Sequence, residues 1–169
     1  MRHPRFITLI LIFNIMTTTS SNAETGVIGR VYEDGLPLIY SFLNEQPSQD
    51  NVARFQWLTI VSWKYDGSNN NGMPPEATNA QMIALEDSLS EQFENSPNSI
   101  WVFNRTGNHL KEFAYYINDR DTFIEILNHT LSSEPGYPIE VNFYNDPTWQ
   151  EIRNLLEEFR SEENNESDA

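Results

Sequence analysis

Six residues carry the ligand-binding chemistry this sequence could offer. Asp66, Asn69 and Asn71 stand in the loop DGSNNNG, and Arg105, Asn108 and Lys111 stand in or beside the turn RTGN. Two cations and several amides would suit an anionic or polyhydroxylated ligand. The same residue types also build plain turns, because Asn and Gly tolerate left-handed backbone and cap their own chain. Arg105 can pair instead with Glu112 or Asp66. The loop fails as a calcium loop: counted from Asp66, Asn71 stands where the turn glycine belongs and Ala77 where a bidentate glutamate belongs.

No residue set points to catalysis, a metal or a cofactor. The chain has no cysteine, so thiolate zinc, iron–sulfur clusters, disulfides and a Cys nucleophile are out. His3, His109 and His129 show no HxxxH or HExxH spacing, and no G-x-S-x-G elbow or P-loop occurs. His109 and His129 read as solvated or capping side chains. Acid pairs such as Glu86/Asp87 or Glu140/Asp146 carry no weight in so acidic a chain. A two-carboxylate hydrolase requires two acids facing each other across a cleft, which only three dimensions can supply.

Charge narrows the partners. Against 25 Asp+Glu stand 10 Lys+Arg, a formal charge of −15 over 169 residues. A phosphate backbone needs a basic stripe, so nucleic acid is excluded as a partner, whereas a basic protein would be steered inward. Residues 1–23 read as a signal peptide: Arg2, His3 and Arg5 precede an apolar run from Phe6 to Met16, and Ser21 and Ala23 occupy the −3 and −1 positions. That run falls short of the ~20 residues a spanning helix needs. Cleavage after Ala23 predicts a secreted or periplasmic protein with no membrane attachment, and loss of Arg2 and Arg5 takes the formal charge to −17. Sequons at Asn104, Asn128 and Asn165 matter only in a glycosylating host.

The elements that would position the rim residues follow from periodicity. Val27–Tyr32 and Leu38–Leu43 predict a hairpin about Glu33-Asp34-Gly35. Residues 46–54 read as a loop, and Trp57–Tyr65 as a central strand. Met82, Leu85, Leu89 and Phe93 make the buried stripe of a first helix. Strands at Ile100–Phe103 and Leu110–Ile117 flank a turn at Thr106-Gly107-Asn108, with Tyr115 and Tyr116 on opposite faces and one of them exposed. Asp119 or Asp121 caps a second helix, with Phe123, Ile126, Leu127 and Leu131 inward. The four tryptophans read as core. Ile139, Val141 and Phe143 alternate with Glu140 and Asn142 in a strand with one wet face. Asp146-Pro147 opens a last helix, with Pro at its first position and Trp149, Ile152, Leu156 and Phe159 inward. This predicts one α+β domain over residues 24–160 and an acidic disordered tail over 161–169. Its core is a ferredoxin-like β-α-β-β-α-β unit, an antiparallel sheet with helices on one face, plus an N-terminal β-hairpin and a C-terminal helix. That topology brings the 66–72 loop, the 105–111 hairpin and the first helix N-terminus to one rim.

The segments DGLPLIY, WLTIVSWKYDGSNNNGMP, ALEDSL, NRTGNHLKEFAYYI and YPIEVNFYNDPTW together resemble bacterial domain-of-unknown-function family 695. The resemblance spans about residues 31–159. Some members are fused to a domain similar to ribonuclease E regulator B, a ferredoxin-like protein inhibitor. The resemblance therefore implies an α+β fold and a protein-binding role, with no catalytic residues to transfer. The leading expectation is an exported, non-enzymatic interaction module with an inhibitor- or regulator-like role and a basic protein partner. The alternative is a small-ligand or glycan-binding module using the six rim residues.

Overall fold

The computed structural model describes residues 26–94, 96–133 and 136–167. The signal segment lies outside them. β1 (Gly26–Glu33) and β2 (Leu36–Leu43) form the first hairpin through Asp34 and Gly35, whose φ values are +52° and +79°. Two successive left-handed residues give the turn the twist its strands require. A short helix, α1 (Gln49–Arg54), occupies the stretch read as a loop. The Ser48 side chain accepts from the Asn51 N–H at 3.2 Å, and Asp50 and Arg54 complement the helix dipole at its two ends. No α1 residue is fully buried, so the segment shows no apolar stripe.

β3 (Trp57–Lys64) leads into α2 (Glu76–Phe93), then β4 (Ser99–Gly107), β5 (Leu110–Ile117), α3 (Arg120–Thr130), β6 (Ile139–Asn145) and α4 (Gln150–Ser167). The six strands make one sheet in the order β1-β2-β4-β5-β3-β6, and every neighbouring pair is antiparallel. β5 therefore lies between β3 and β4 and antiparallel to both, as the rim argument requires. The β4–β5 turn sits one residue later than expected, at Asn108 and His109, which have φ +46° and +63°. Gly107 ends β4 at φ +138°, where a Cβ would lie 2.1 Å from the Pro37 carbonyl oxygen, so only glycine fits.

Each face of the sheet has its own core. On one face α2 and α3 bury Met82, Leu85, Leu89, Phe93, Phe123 and Leu127 against Val61, Trp63, Phe113, Tyr115 and Ile117. These include all four predicted α2 positions, and Asp119 caps α3 through a 2.7 Å bond from the Thr122 N–H. On the other face α4 buries Trp149, Ile152, Leu155, Leu156 and Phe159 against Leu38, Phe42, Phe103, Ala114 and Tyr116. Because both faces are covered here, Tyr115 and Tyr116 are both buried, at 3% and 0% exposure, and neither is the exposed residue expected.

α4 departs from its predicted start. Pro147 is not its first residue; the helix opens at Gln150, after Trp149 turns the chain at φ +57°. Asp146 still caps it, accepting from the Gln150 and Glu151 N–H groups at 2.9 and 3.1 Å. The helical backbone continues to Ser167, through most of the segment expected as a disordered tail, since no Pro or Gly interrupts it. α4 crosses the sheet diagonally. Trp149 stacks on Tyr116 of β5 at 4.0 Å between ring centroids, and Phe159 stacks on Phe42 of β2 at 4.7 Å. That path leaves part of β3, β5 and β6 uncovered.

Candidate functional site

The loop and the hairpin do meet. Gly67 N–H donates to His109 Nδ1 at 3.1 Å, His109 N–H donates to the Gly72 carbonyl at 2.9 Å, and Tyr65 N–H donates to the His109 carbonyl at 3.0 Å. His109 acts as the clasp between the two turns. Tyr65 adds a 3.0 Å bond from its hydroxyl to the Gly72 carbonyl, and burial, above all, pushes that phenol up to about 12.

The six rim residues do not all point the same way. Asp66, Asn69 and Asn71 are exposed at the loop surface. Asp66 accepts from the Ser68 N–H at 3.0 Å, and this turn holds its carboxyl below its usual range. Asn71 supplies left-handed backbone at φ +52°. Asn108 donates to Glu33 at 3.4 Å. Arg105 and Lys111 leave on opposite faces of the sheet. Arg105 is opposite Glu112 in register and Lys111 is opposite Thr106, so successive β5 side chains alternate between the two cores. Of the six, Arg105 alone lines either of the two clefts described next.

Two clefts replace that rim. The larger is an open groove of about 480 Å³ on the α4 face, where the helix leaves the sheet bare. Its floor is Leu58, Ile60 and Phe103; Tyr144 forms one wall, and Arg105, Glu112, Asp146, Gln150 and Glu151 complete it. Tyr144 is 53% exposed. Arg105 is pinned between Glu112 at 3.3 Å and Glu33 at 3.5 Å. Burial pushes the Glu112 carboxyl up, against the Arg105 charge, and the Glu151 and Glu33 charges push the same way as burial. Asp146 goes down: its own partial burial raises it, but bonds from Tyr116, Gln150, Glu151 and Thr148 together outweigh that. The Tyr116 hydroxyl donates to Asp146 at 2.5 Å, and its phenol is raised by burial and by that carboxylate. Trp149 Nε1 donates to the Phe55 carbonyl at 2.6 Å and completes the support under the α4 N-terminus.

The smaller cleft, about 170 Å³, lies on the α2 face between Ser41, Glu86, Ser90, Glu94, Trp101, Asn104 and Tyr115. Lys111 ends here. Its ammonium donates to Glu86 Oε2 at 2.7 Å while Asn104 donates to Glu86 Oε1, also at 2.7 Å. Asn104 in turn accepts from Trp101 Nε1 at 2.9 Å and is only 7% exposed, so this sequon is folded into a network.

Sequence reasoning left out most of these residues. Tyr144 had a local signal, an aromatic on the wet face of an alternating strand beside Glu140 and Asn142. Trp101 and Asn104 had none. They share a face although three residues apart, because the β4–β5 register shifts between Trp101 and Phe103, a β-bulge that sends Val102 and Phe103 both to the α4 core. Among the described residues no group of three His, Cys, Asp or Glu could hold a metal ion, and no helix is long and apolar enough to cross a membrane.

A family model described as "Family of unknown function (DUF695)" matches residues 28–156, from β1 into α4, and so takes in both clefts. Comparisons with curated proteins and with solved structures return no match.

Proposed function

The chain belongs to this family of unknown function, and from that premise we propose that it is a non-enzymatic protein-interaction module, exported from the cytoplasm, that takes a basic partner in the groove beside α4. One observation carries the reading. The bare part of the sheet pairs an apolar floor and an exposed tyrosine with three carboxylates and one already-paired arginine. A partner's Lys or Arg laid over Leu58 and Ile60 would rest its stem on the floor, its charge by Glu151 and its flank on Tyr144. β6 adds an open edge, since among the described residues it pairs only with β3, so an extended segment of the partner could hydrogen-bond alongside.

Binding suits these acids better than catalysis does. Asp146 spends both oxygens on the α4 N-terminus and Tyr116, and Glu112 is held by Arg105. Neither is poised to exchange a proton with a substrate. The core strand order β4-β5-β3-β6, with α2 and α3 on one face, supports the ferredoxin-like reading of the fold, with β1–β2 and α4 as additions. The basic and apolar opening of the chain supports export.

The test is capture of partners from the native host with residues 24–169 as bait, at low and high salt, beside the variants Tyr144→Ala and Glu151→Lys. The expected result is one basic protein that survives the salt wash on the parent and is lost at least tenfold on both variants, with unchanged melting temperatures. Equal capture by parent and variants would remove the groove from the interaction. A capture that vanishes with salt would reduce it to charge attraction alone.

A further inference from the structure

The small cleft on the α2 face contains a polar group whose partner the protein does not supply. Tyr115 is 3% exposed, and no described residue forms a hydrogen bond with its hydroxyl. The ring is buried while the hydroxyl opens into the cleft, so water or a ligand must meet it there. The hydroxyl faces two carboxylates: after burial, the charges of Glu86 and Glu94 are the causes that keep it a phenol.

The charges around it are unequally spent. Glu86 has one oxygen on Asn104 and the other on Lys111, and that pair is neutral. No cation pairs with Glu94 among the described residues, so the cleft keeps one net negative charge. Its wall is the Trp101 indole, held in orientation by the bond from Nε1 to Asn104 Oδ1. A ring face fixed beside a carboxylate that no described cation neutralises attracts an organic cation and repels an anion. About 170 Å³ is the room of five or six waters, enough for an ammonium group with a short carbon chain.

We propose that this cleft is a binding site for a small protonated organic amine, with Glu94 as counter-charge, the Trp101 face as wall and the Tyr115 hydroxyl as acceptor for an ammonium hydrogen. Ser41 and Ser90 edge the cleft and offer further oxygens. The site is on the opposite face of the sheet from the groove and does not depend on what the groove binds.

The experiment titrates the full chain at pH 7 with n-butylamine, n-butanol and butyrate, following the Trp101 indole N–H by NMR. Butylamine should bind at least tenfold more tightly than butanol, and butyrate should not bind. Tyr115→Phe and Glu94→Gln should each weaken butylamine about tenfold, at parent melting temperatures. Lys64→Ala, exposed on the other face and outside both clefts, should leave its affinity unchanged and serves as the folded control. Equal affinity for amine and alcohol overturns the proposal, as does parent-like binding by both cleft variants. No binding by any probe means that water alone meets Tyr115, and overturns it too.

Discussion

Tyr115 and Tyr116 are adjacent in β5, both buried, and they face opposite cores. Tyr116 stacks on Trp149 and gives its hydroxyl to Asp146, which also holds the first turn of α4. Tyr115 packs its ring against Phe93 and Phe123 and leaves its hydroxyl unmatched in a cleft. The difference teaches where polar groups are spent. On the α4 face they hold a helix end in place, so a partner must use what remains, Tyr144 and Glu151. On the α2 face one hydroxyl and one carboxylate remain for something else.

The comparison breaks most visibly at Trp149. Replacing Trp149 by Ala removes the Tyr116 stack and the bond to Phe55, and should cost about 3–5 kcal/mol in urea unfolding. A cost under about 1 kcal/mol would show that this end of α4 is not anchored as described. Asp146→Ala should cost about 2 kcal/mol at neutral pH, through loss of the cap and of the Tyr116 partner.

The pH dependence of that second variant sharpens the point. The folded-state carboxyl of Asp146 lies below its ordinary value of 3.8. Its contribution is therefore complete above the unfolded value and disappears as pH falls through the folded one. The stability gap between parent and Asp146→Ala should be constant near neutrality and close below about pH 4. A gap that persists in acid would mean the carboxylate charge is not what holds the turn.

The two tyrosines give the direct contrast. Tyr116→Phe should destabilise by about 1 kcal/mol, the worth of one hydrogen bond. Tyr115→Phe, which removes a hydroxyl the protein does not use, should change stability by less than about 0.5 kcal/mol. Equal costs for the two would mean that Tyr115 has an internal partner and would dissolve the distinction between the faces.

Much of the frame is legible in the sequence. The α2 stripe, the Asp119 cap, the inward face of α4 and the hairpin at Asp34-Gly35 all depend on residues within a few positions of one another. Helix and strand periods report such relations faithfully. α1 escaped notice because its signal is a cap and two charges, without an apolar stripe. The convergence of the 66–72 loop with the 105–111 hairpin was also readable, since it follows from strand direction alone.

What shares a cavity was not legible. Arg105 and Lys111 look like partners along the chain, yet pairing within the hairpin sends one to Glu112 and Glu33 and the other through the sheet to Glu86. Trp101 and Asn104 look like residues of opposite faces, yet the bulge at Val102 brings them together. Sequence by itself determined the six strands, the cores of α2, α3 and α4, the Asp119 and Asp146 caps, the overall negative charge and the family, because those are properties of local spacing and composition. Only the tertiary structure decided the two clefts. A strand's side chains alternate with period two, so a single extra residue in one ladder, or the diagonal path of one helix, redistributes every side chain beyond it between covered core and open face.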